Sequence, residues 1–373
     1  MQQRTQDKII SFVKRNAVAE IAFFAALVTT FFVPVDEKYA DYFDLKTLTC
    51  LFCVSAVVAA FKNVNLFYVL AYNIVRLFKN AKACVLALVY VTFIGSMLIA
   101  NDMALITFLP LGYIVLVAAD KKKYMAFTFI MQNIAANLGG MLTPFGNPQN
   151  LFIYTKFNVD TLEFMGVMAP PFALSVALIT LCCCLFVPSE KLEMKPSDTK
   201  LPPLQTVVYT ILFILSVLVV FRAVPYLAGL IVVPVVILIF DRKALLSVDY
   251  PLLFTFVFFF VFAGNISRIP TIGDFIERVI DGRVFISGVV SCQAISNVPS
   301  AILLSRFTSD WRNLLLAVNV GGVGTLISSL ASLITFREYV KHNPDKAGRY
   351  LLEFSAFNFS FLILLSAFVL IVL

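Results

Sequence analysis

Apolar runs close to the length of a bilayer crossing recur along this chain, and they limit its fold more strongly than anything else in the sequence. Stretches at 17–35, 204–221 and 350–372 approach the ~20 residues that a helix needs to span the hydrocarbon core. The charge content agrees. Only 14% of the 373 residues are Asp, Glu, Lys or Arg, 60% are hydrophobic, and the mean hydropathy is +0.92. Soluble domains run near a quarter charged, so this composition cannot cover a folded core with polar surface and excludes a soluble enzyme. The net charge of +7 would suggest nucleic acid in a soluble protein. In a membrane protein it asks instead which side the charges occupy, and no nucleic-acid partner is expected.

The sequence predicts an all-α polytopic membrane protein with about nine crossings, at 17–35, 45–62, 124–156, 165–187, 204–221, 224–240, 250–266, 311–337 and 350–372. Two of these, 124–156 and 311–337, are long and interrupted. Apolar stretches 83–118 and 284–305 carry polar residues at their centres and are predicted to be re-entrant hairpins. Segment 66–80 is amphipathic and suits the interface, with 270–281 as its counterpart. With the N-terminus cytoplasmic, that face holds 20 of the 29 Lys and Arg, including Lys121-Lys122-Lys123. The positive-inside rule therefore favours N-in, C-out, in a bacterial inner or plasma membrane.

Other signals are weak. The N-terminal Arg4, Lys8, Lys14 and Arg15 precede an apolar run, but no small-residue cleavage site follows it. The seven cysteines lie in or beside apolar runs and form no disulfide framework. Cys50-x-x-Cys53 has no second pair or His nearby to complete a zinc site. The single histidine, His342, sits in a charged loop. No Walker-type phosphate loop is present, and no cofactor or catalytic residue is expected.

Two stretches match each other without a gap. Asn137-Leu138-Gly139-Gly140-Met141-Leu142-Thr143 aligns with Asn319-Val320-Gly321-Gly322-Val323-Gly324-Thr325, and Leu151 with Leu333. Upstream of each lies a hairpin with Asn at its centre: Ala100-Asn101-Asp102 and Ser296-Asn297-Val298-Pro299. The order span, span, hairpin, broken helix, span therefore occurs twice, in 1–187 and 224–373, joined by a linker and connecting span at 188–223. One extra crossing between four-crossing units inverts the second, as in many secondary transporters.

Broken helices are tolerated in a membrane only where protein or a water cavity covers the freed backbone. Thr143-Pro144-Phe145-Gly146-Asn147-Pro148 lacks two N–H donors and cannot continue a helix. Free carbonyls and Asn or Thr oxygens suit Na⁺, and half-helix N-termini suit an anion. The motifs thus single out Asn101, Asp102, Asn137, Thr143, Gly146, Asn147, Ser296, Asn297, Asn319, Gly322 and Thr325 for substrate or ion binding. Asn101, Asp102 and Asn297 are the candidates for Na⁺ itself. An amide offers both an acceptor and a donor, although each hairpin Asn also suits a helix cap. Asp102 is the one acid deep inside an apolar stretch. It is able to bind Na⁺, carry a proton or cap its helix arm. Gln132, Asn133, Asn265 and Gln293 read as glue between helices.

These residues resemble the ion transporter superfamily, which includes citrate-transporter-like permeases, divalent anion:sodium symporters, arsenite permeases and NhaD-type sodium/proton antiporters. The resemblance rests on Asn-Asp followed by Pro110, on the break Asn137-x-Gly-Gly…Thr-Pro-x-Gly-Asn-Pro-x-Asn150, and on Ser296-Asn-x-Pro299, and it covers roughly 45–340. Ala100-Asn101-Asp102 and 324–333 lean toward the arsenite permeases. Gly146-Asn147-Pro148-Gln149-Asn150 is similar to the NhaD-like and citrate-like members. The Ser-Asn-Thr tips of the divalent anion symporters are replaced by Ala-Asn-Asp and Ser-Asn-Val. The resemblance implies a dimerising scaffold domain, a moving transport domain, and a site using Asn101, Asp102, Thr143, Asn147, Asn297 and Thr325. The expected function is elevator-type transport of a small anion, a carboxylate or an oxyanion, coupled to Na⁺ or H⁺. Na⁺/H⁺ antiport through Asp102 and arsenite-type efflux are the alternatives.

Overall fold

The computed structural model describes residues 18–191 and 201–373. Arg4, Lys8, Lys14, Arg15, Lys195 and Lys200, which contribute to the charge asymmetry, lie outside the described residues. Among the described residues all regular elements are helical, apart from one isolated bridge between Asn80 and Lys191. The helices are α1 (Val18–Thr30), α2 (Leu45–Asn63), α3 (Leu66–Val75), α4 (Ala81–Ile99), α5 (Asn101–Ala118), α6 (Met125–Gly139), α7 (Pro148–Lys156), α8 (Thr161–Phe186) and α9 (Pro203–Val220). They continue as α10 (Tyr226–Phe240), α11 (Arg242–Leu246), α12 (Tyr250–Ile266), α13 (Pro270–Ile280), α14 (Val284–Ile295), α15 (Asn297–Leu304), α16 (Trp311–Val320), α17 (Leu330–His342) and α18 (Ala347–Val372). The chain is a polytopic helical membrane protein.

Local chemistry sets many of the boundaries. Asp44, Asn80, Asp160, Asp241, Asp249, Asp310 and Ser329 each accept a backbone N–H in the first turn that follows. Proline opens α7, α9 and α13, where its missing N–H costs nothing.

Among the described residues six helices reach span length by length and apolarity, α2, α4, α5, α8, α9 and α18, and a seventh if α12 and α13, bent by 98°, form one element. The list differs from the nine expected crossings in an instructive way. Both arms of the 83–118 hairpin are long enough to cross alone, at 19 and 18 residues. Length therefore cannot identify a hairpin, and the packing does. A Cβ on Gly95 of α4 would lie 2.4 Å from the Phe108 ring of α5, so the arms run side by side. Their two bases meet at Glu190. Its backbone carbonyl accepts from Ala81 N at 2.7 Å, and its carboxylate holds Lys121 and Lys123 at 2.6 Å each and the Tyr124 hydroxyl at 2.7 Å. The second hairpin is shorter, with arms of 12 and 8 residues.

Contacts sort the loops into two ends. One end gathers Asn80, Lys121, Glu190 and the stacked rings of Tyr113 and His342. Asn343 also reaches Met125 there. The other end gathers the Asp36–Arg268 ion pair, Arg306 on the carbonyl of Tyr42, and the Arg312–Glu163 pair. Hairpin α4–α5 has its base at the first end and α14–α15 at the second.

The core divides in two. The larger cluster unites both hairpins with α6, α8, α16 and α18. The smaller joins α2 with α9, α10 and α11. Helix α2 serves both, turning Cys50, Leu51, Val54 and Val58 to the first and Cys53, Ala56, Val57 and Ala60 to the second. A helix apolar all round is the sign of such two-sided burial.

Lys121, Lys123 and Tyr124 hold the Glu190 carboxyl down at about 2. A depressed acid contributes stability above its ordinary range, and that contribution is lost as pH falls through the folded-state value. Glu190→Gln is expected to lower the thermal midpoint by a constant amount from pH 8 to pH 5. The gap should close between its ordinary 4.5 and about 2. Equal midpoints for the two proteins at pH 7 would refute the clasp.

Candidate functional site

The two hairpin tips share one backbone geometry. Ala100 has φ 64°, ψ 153° and Ser296 φ 76°, ψ 159°, a region almost reserved for glycine that costs of order 1–3 kcal/mol per residue. Next in sequence come Asn101 and Asn297, each accepting the following N–H on its Oδ1, at 2.9 and 2.8 Å. Strain repeated at matched positions points to function rather than accident.

Both tips line one cavity of about 400 Å³. Its walls include the first residues of four helices: Asn101 and Asp102 of α5, Pro148 and Gln149 of α7, Asn297 to Pro299 of α15, and Leu330 of α17 behind its cap Ser329. Each helix N-terminus carries a partial positive charge, and at α15 the backbone is already paired, Asn297 N donating to the Ser328 carbonyl and Val298 N to Asn297 Oδ1, with no N–H on Pro299. Asp102 and Asp249 bring negative charge, and Lys62 and Arg337 bring positive charge. Among the described residues, three buried side-chain atoms of this region have no hydrogen-bond partner: Nδ2 of Asn297, Oδ1 of Asn147 and Oε1 of Gln149. Of these, the Asn297 donor and the Gln149 acceptor belong to residues that line the cavity, and a donor beside an acceptor matches a ligand pair of opposite charge.

Among the residues singled out in the sequence, Asn101, Asp102, Ser296 and Asn297 line the cavity. The others lie in the layer behind it. Asn319 donates to Asn150 Oδ1 at 2.7 Å and accepts from Asn147 Nδ2 at 3.2 Å. Asn147 also donates to the carbonyl of Asn137, whose Oδ1 receives Asn101 Nδ2 at 3.1 Å. This amide network joins the two breaks. Thr143 donates to the carbonyl of Met97, and Thr325 to that of Gln293. Each carbonyl lies on the first arm of the hairpin in its own half, so the threonines pin hairpins to breaks. Gly146 has no room for a Cβ, which would sit 2.3 Å from Gly140 O. At Gly322 one would sit 3.1 Å from Asn297 Nδ2.

Gln132 bonds Thr92 and the Phe108 carbonyl, and Asn133 bonds Asn358. Asn265 bonds Thr29, and Gln293 holds the second break. All four join helices. The sequence reading omitted Gln149, Asp249, Lys62 and Arg337. Gln149 was signalled by its place in the Asn-Pro-Gln-Asn segment. The three charged residues stand near span ends and look like caps or topology signals; only the tertiary fold turns them to the cavity.

Two hairpins and two interrupted helices around one polar cavity, in a chain this apolar, define a membrane transporter. The comparisons agree. Residues 8–309 match the model of the citrate transporter family, CitMHS, and the chain belongs to that family. The uncharacterized transporter MJ0456 of Methanocaldococcus jannaschii is 33% identical over 315 residues, which is 83% of this chain and 84% of the relative. The inner membrane protein YbiR of Escherichia coli is 30% identical over 83% of this chain and 84% of its own. The silicon efflux transporter LSI3 of Oryza sativa subsp. japonica is 28% identical over 163 residues, 43% of this chain and 33% of its own. The resemblance to the ion transporter superfamily is thereby borne out.

Asn319→Ala removes both bonds that join the breaks and leaves buried polar atoms of Asn147 and Asn150 short of partners. A cost of about 1–3 kcal/mol per orphaned group predicts a clear drop in the unfolding midpoint in detergent. Asn63→Ala, which loses only an exposed bond to Asp241, serves as the control and should shift it little.

Proposed function

We propose that the protein is a secondary active transporter of a small anion, an organic carboxylate or an oxyanion, coupled to Na⁺ or H⁺. The observation that carries this reading is the convergence of four helix N-termini, from both halves of the chain, on one cavity. Asn297 Nδ2 supplies a donor for the anion, and the positive ends of the four helices favour its charge. Asp102 and Gln149 supply oxygens for the cation. The matched tips at Asn101 and Asn297, the paired threonines and the opposite hairpin bases support an inverted repeat of 1–187 and 224–373 around the connecting span. The separate α2–α9–α10 cluster supports a scaffold against which the hairpin-bearing core moves as an elevator. Exposed Ile211, Ile214, Ile231 and Ile239 offer that scaffold a face for a second copy, giving a homodimer. The charge asymmetry supports an N-in, C-out orientation in a bacterial inner or plasma membrane.

Asp102 favours one second reading, Na⁺/H⁺ antiport, because it brings an ionisable group to the cavity. The rice relative is a silicon efflux transporter, which similarly supports export as the direction. Vesicles containing the purified chain and a pH dye separate these. A carrier of anions should show counterflow of labelled citrate or arsenite, lost in Asn101→Ala and Asn297→Ala while both variants still fold. Wild-type counterflow in both would remove these residues from the site. Na⁺-driven proton flux without any added anion, abolished by Asp102→Asn, would instead support the antiporter.

A further inference from the structure

A second cavity, of about 370 Å³, lies at the end of the molecule where Arg306 sits. Its walls include Lys46, Lys156 and Arg306. Lys156 is exposed and makes no hydrogen bond or ion pair among the described residues. Arg306 donates to the Tyr42 carbonyl at 2.9 Å and lies 5.5 Å from the Tyr42 ring centre, which orients it. Two acids share the space, but Asp44 is occupied as the cap of α2, taking the N–H and hydroxyl of Thr47 at 3.0 and 2.7 Å. Asp41 is exposed at the rim. Three basic side chains thus face two carboxylates, a net charge of +1, and Lys156 keeps its donors free.

The two cavities are laid along the same helices. On α7, Pro148 and Gln149 face the hairpin-tip cavity, whereas Phe152, Thr155 and Lys156 face the second. On α12, Thr255 faces the first and Phe260 the second. From Gln149 to Lys156 the helix rises by ~10 Å. Between them stand Phe152, Phe256 and Phe260, all buried. The ring centres are 5.7 Å apart for Phe152–Phe260, 6.5 Å for Phe152–Phe256 and 6.0 Å for Phe256–Phe260. The second halves of the two broken helices mirror each other. Lys156 at the end of α7 faces the second cavity, and Arg337 toward the end of α17 faces the first, which opens at the opposite end.

We propose that the second cavity is an anion-binding vestibule, in which Lys156 and Arg306 hold a small carboxylate or oxyanion on the far side of the Phe152–Phe256–Phe260 barrier from the hairpin tips. The proposal rests on the transporter reading for its purpose but not for its test. Lys156 contributes a movable ammonium with three donors, and Arg306 a fixed guanidinium. Charge-assisted bonds of this kind discriminate anions from neutral solutes.

The test uses the full chain in vesicles, carrying Thr155→Cys as a reporter. A membrane-impermeant thiol reagent is added with or without citrate or phosphate, with sucrose as the osmotic control, and labelling is read at position 155 by mass spectrometry. Citrate or phosphate is expected to slow labelling, with half-protection shifted upward roughly tenfold by Lys156→Gln and retained by Lys156→Arg. Protection that is the same with and without Lys156→Gln overturns the assignment. Counterflow by the unsubstituted chain reports separately. Protection without transport keeps the vestibule and removes the transporter reading, whereas transport without protection removes the vestibule alone.

Discussion

Two interrupted helices must have their freed carbonyls satisfied without water, and the rest of the structure depends on how that is done. In hydrocarbon an unpaired peptide group costs several kcal/mol, so each break needs a dedicated donor. Asn150 serves the first, directing Nδ2 at the carbonyls of Gly140, Met141 and Thr143 at 3.1, 3.2 and 3.3 Å. Gln293 serves the second, reaching Gly321 and Val323 at 2.9 and 3.3 Å. Ser328 adds a bond to the Gly322 carbonyl at 3.0 Å. These side chains come from different places, one from the helix after its break and one from the neighbouring hairpin. The physical requirement is shared even where the residues are not.

Once the breaks are secured, their geometry does chemical work. A helix that stops and restarts inside the protein creates a new N-terminus there, and a hairpin tip creates another. Four such termini around one cavity concentrate positive potential without placing a lysine at the centre, and Asp102 and the unpaired amide oxygens counter it locally. Under the proposed reading, an anion and a cation bound together would each offset the desolvation of the other. Coupled transport needs that kind of mutual dependence.

Much of this was legible along the chain. Hairpin tips, interruptions and the Asn137–Asn319 match follow from residue order, because Gly, Pro and amides in an apolar background are costly unless used. The element boundaries fell close to those expected, 250–266 and 284–305 among them. Other features were hidden. The α4–α5 hairpin was expected from its polar centre, but the clasp at Glu190 and the Gly95–Phe108 contact that hold its arms together were not. Thr143 and Thr325 stood out by their motifs, yet their hydroxyls are engaged with arm carbonyls. The matched Asn137 and Asn319 also diverge. Asn137 accepts from its own hairpin tip, whereas Asn319 crosses to the first break and leaves Asn297 Nδ2 unpaired.

The sequence by itself determined that the chain lives in a bilayer, that it is all helix, and that polar chemistry gathers at two matched pairs of hairpin and break. Composition and local backbone rules suffice for that, because each residue's cost in hydrocarbon does not depend on its distant neighbours. Only the tertiary structure decided which groups share a cavity. Asp249, Lys62 and Arg337 meet Asn101 and Asn297 because α12, α2 and α17 pack around the tips, and aromatic rings of α7 and α12 divide that space from a second one. Those are contacts between segments far apart in sequence, set by how whole helices fit together, and no local pattern encodes them.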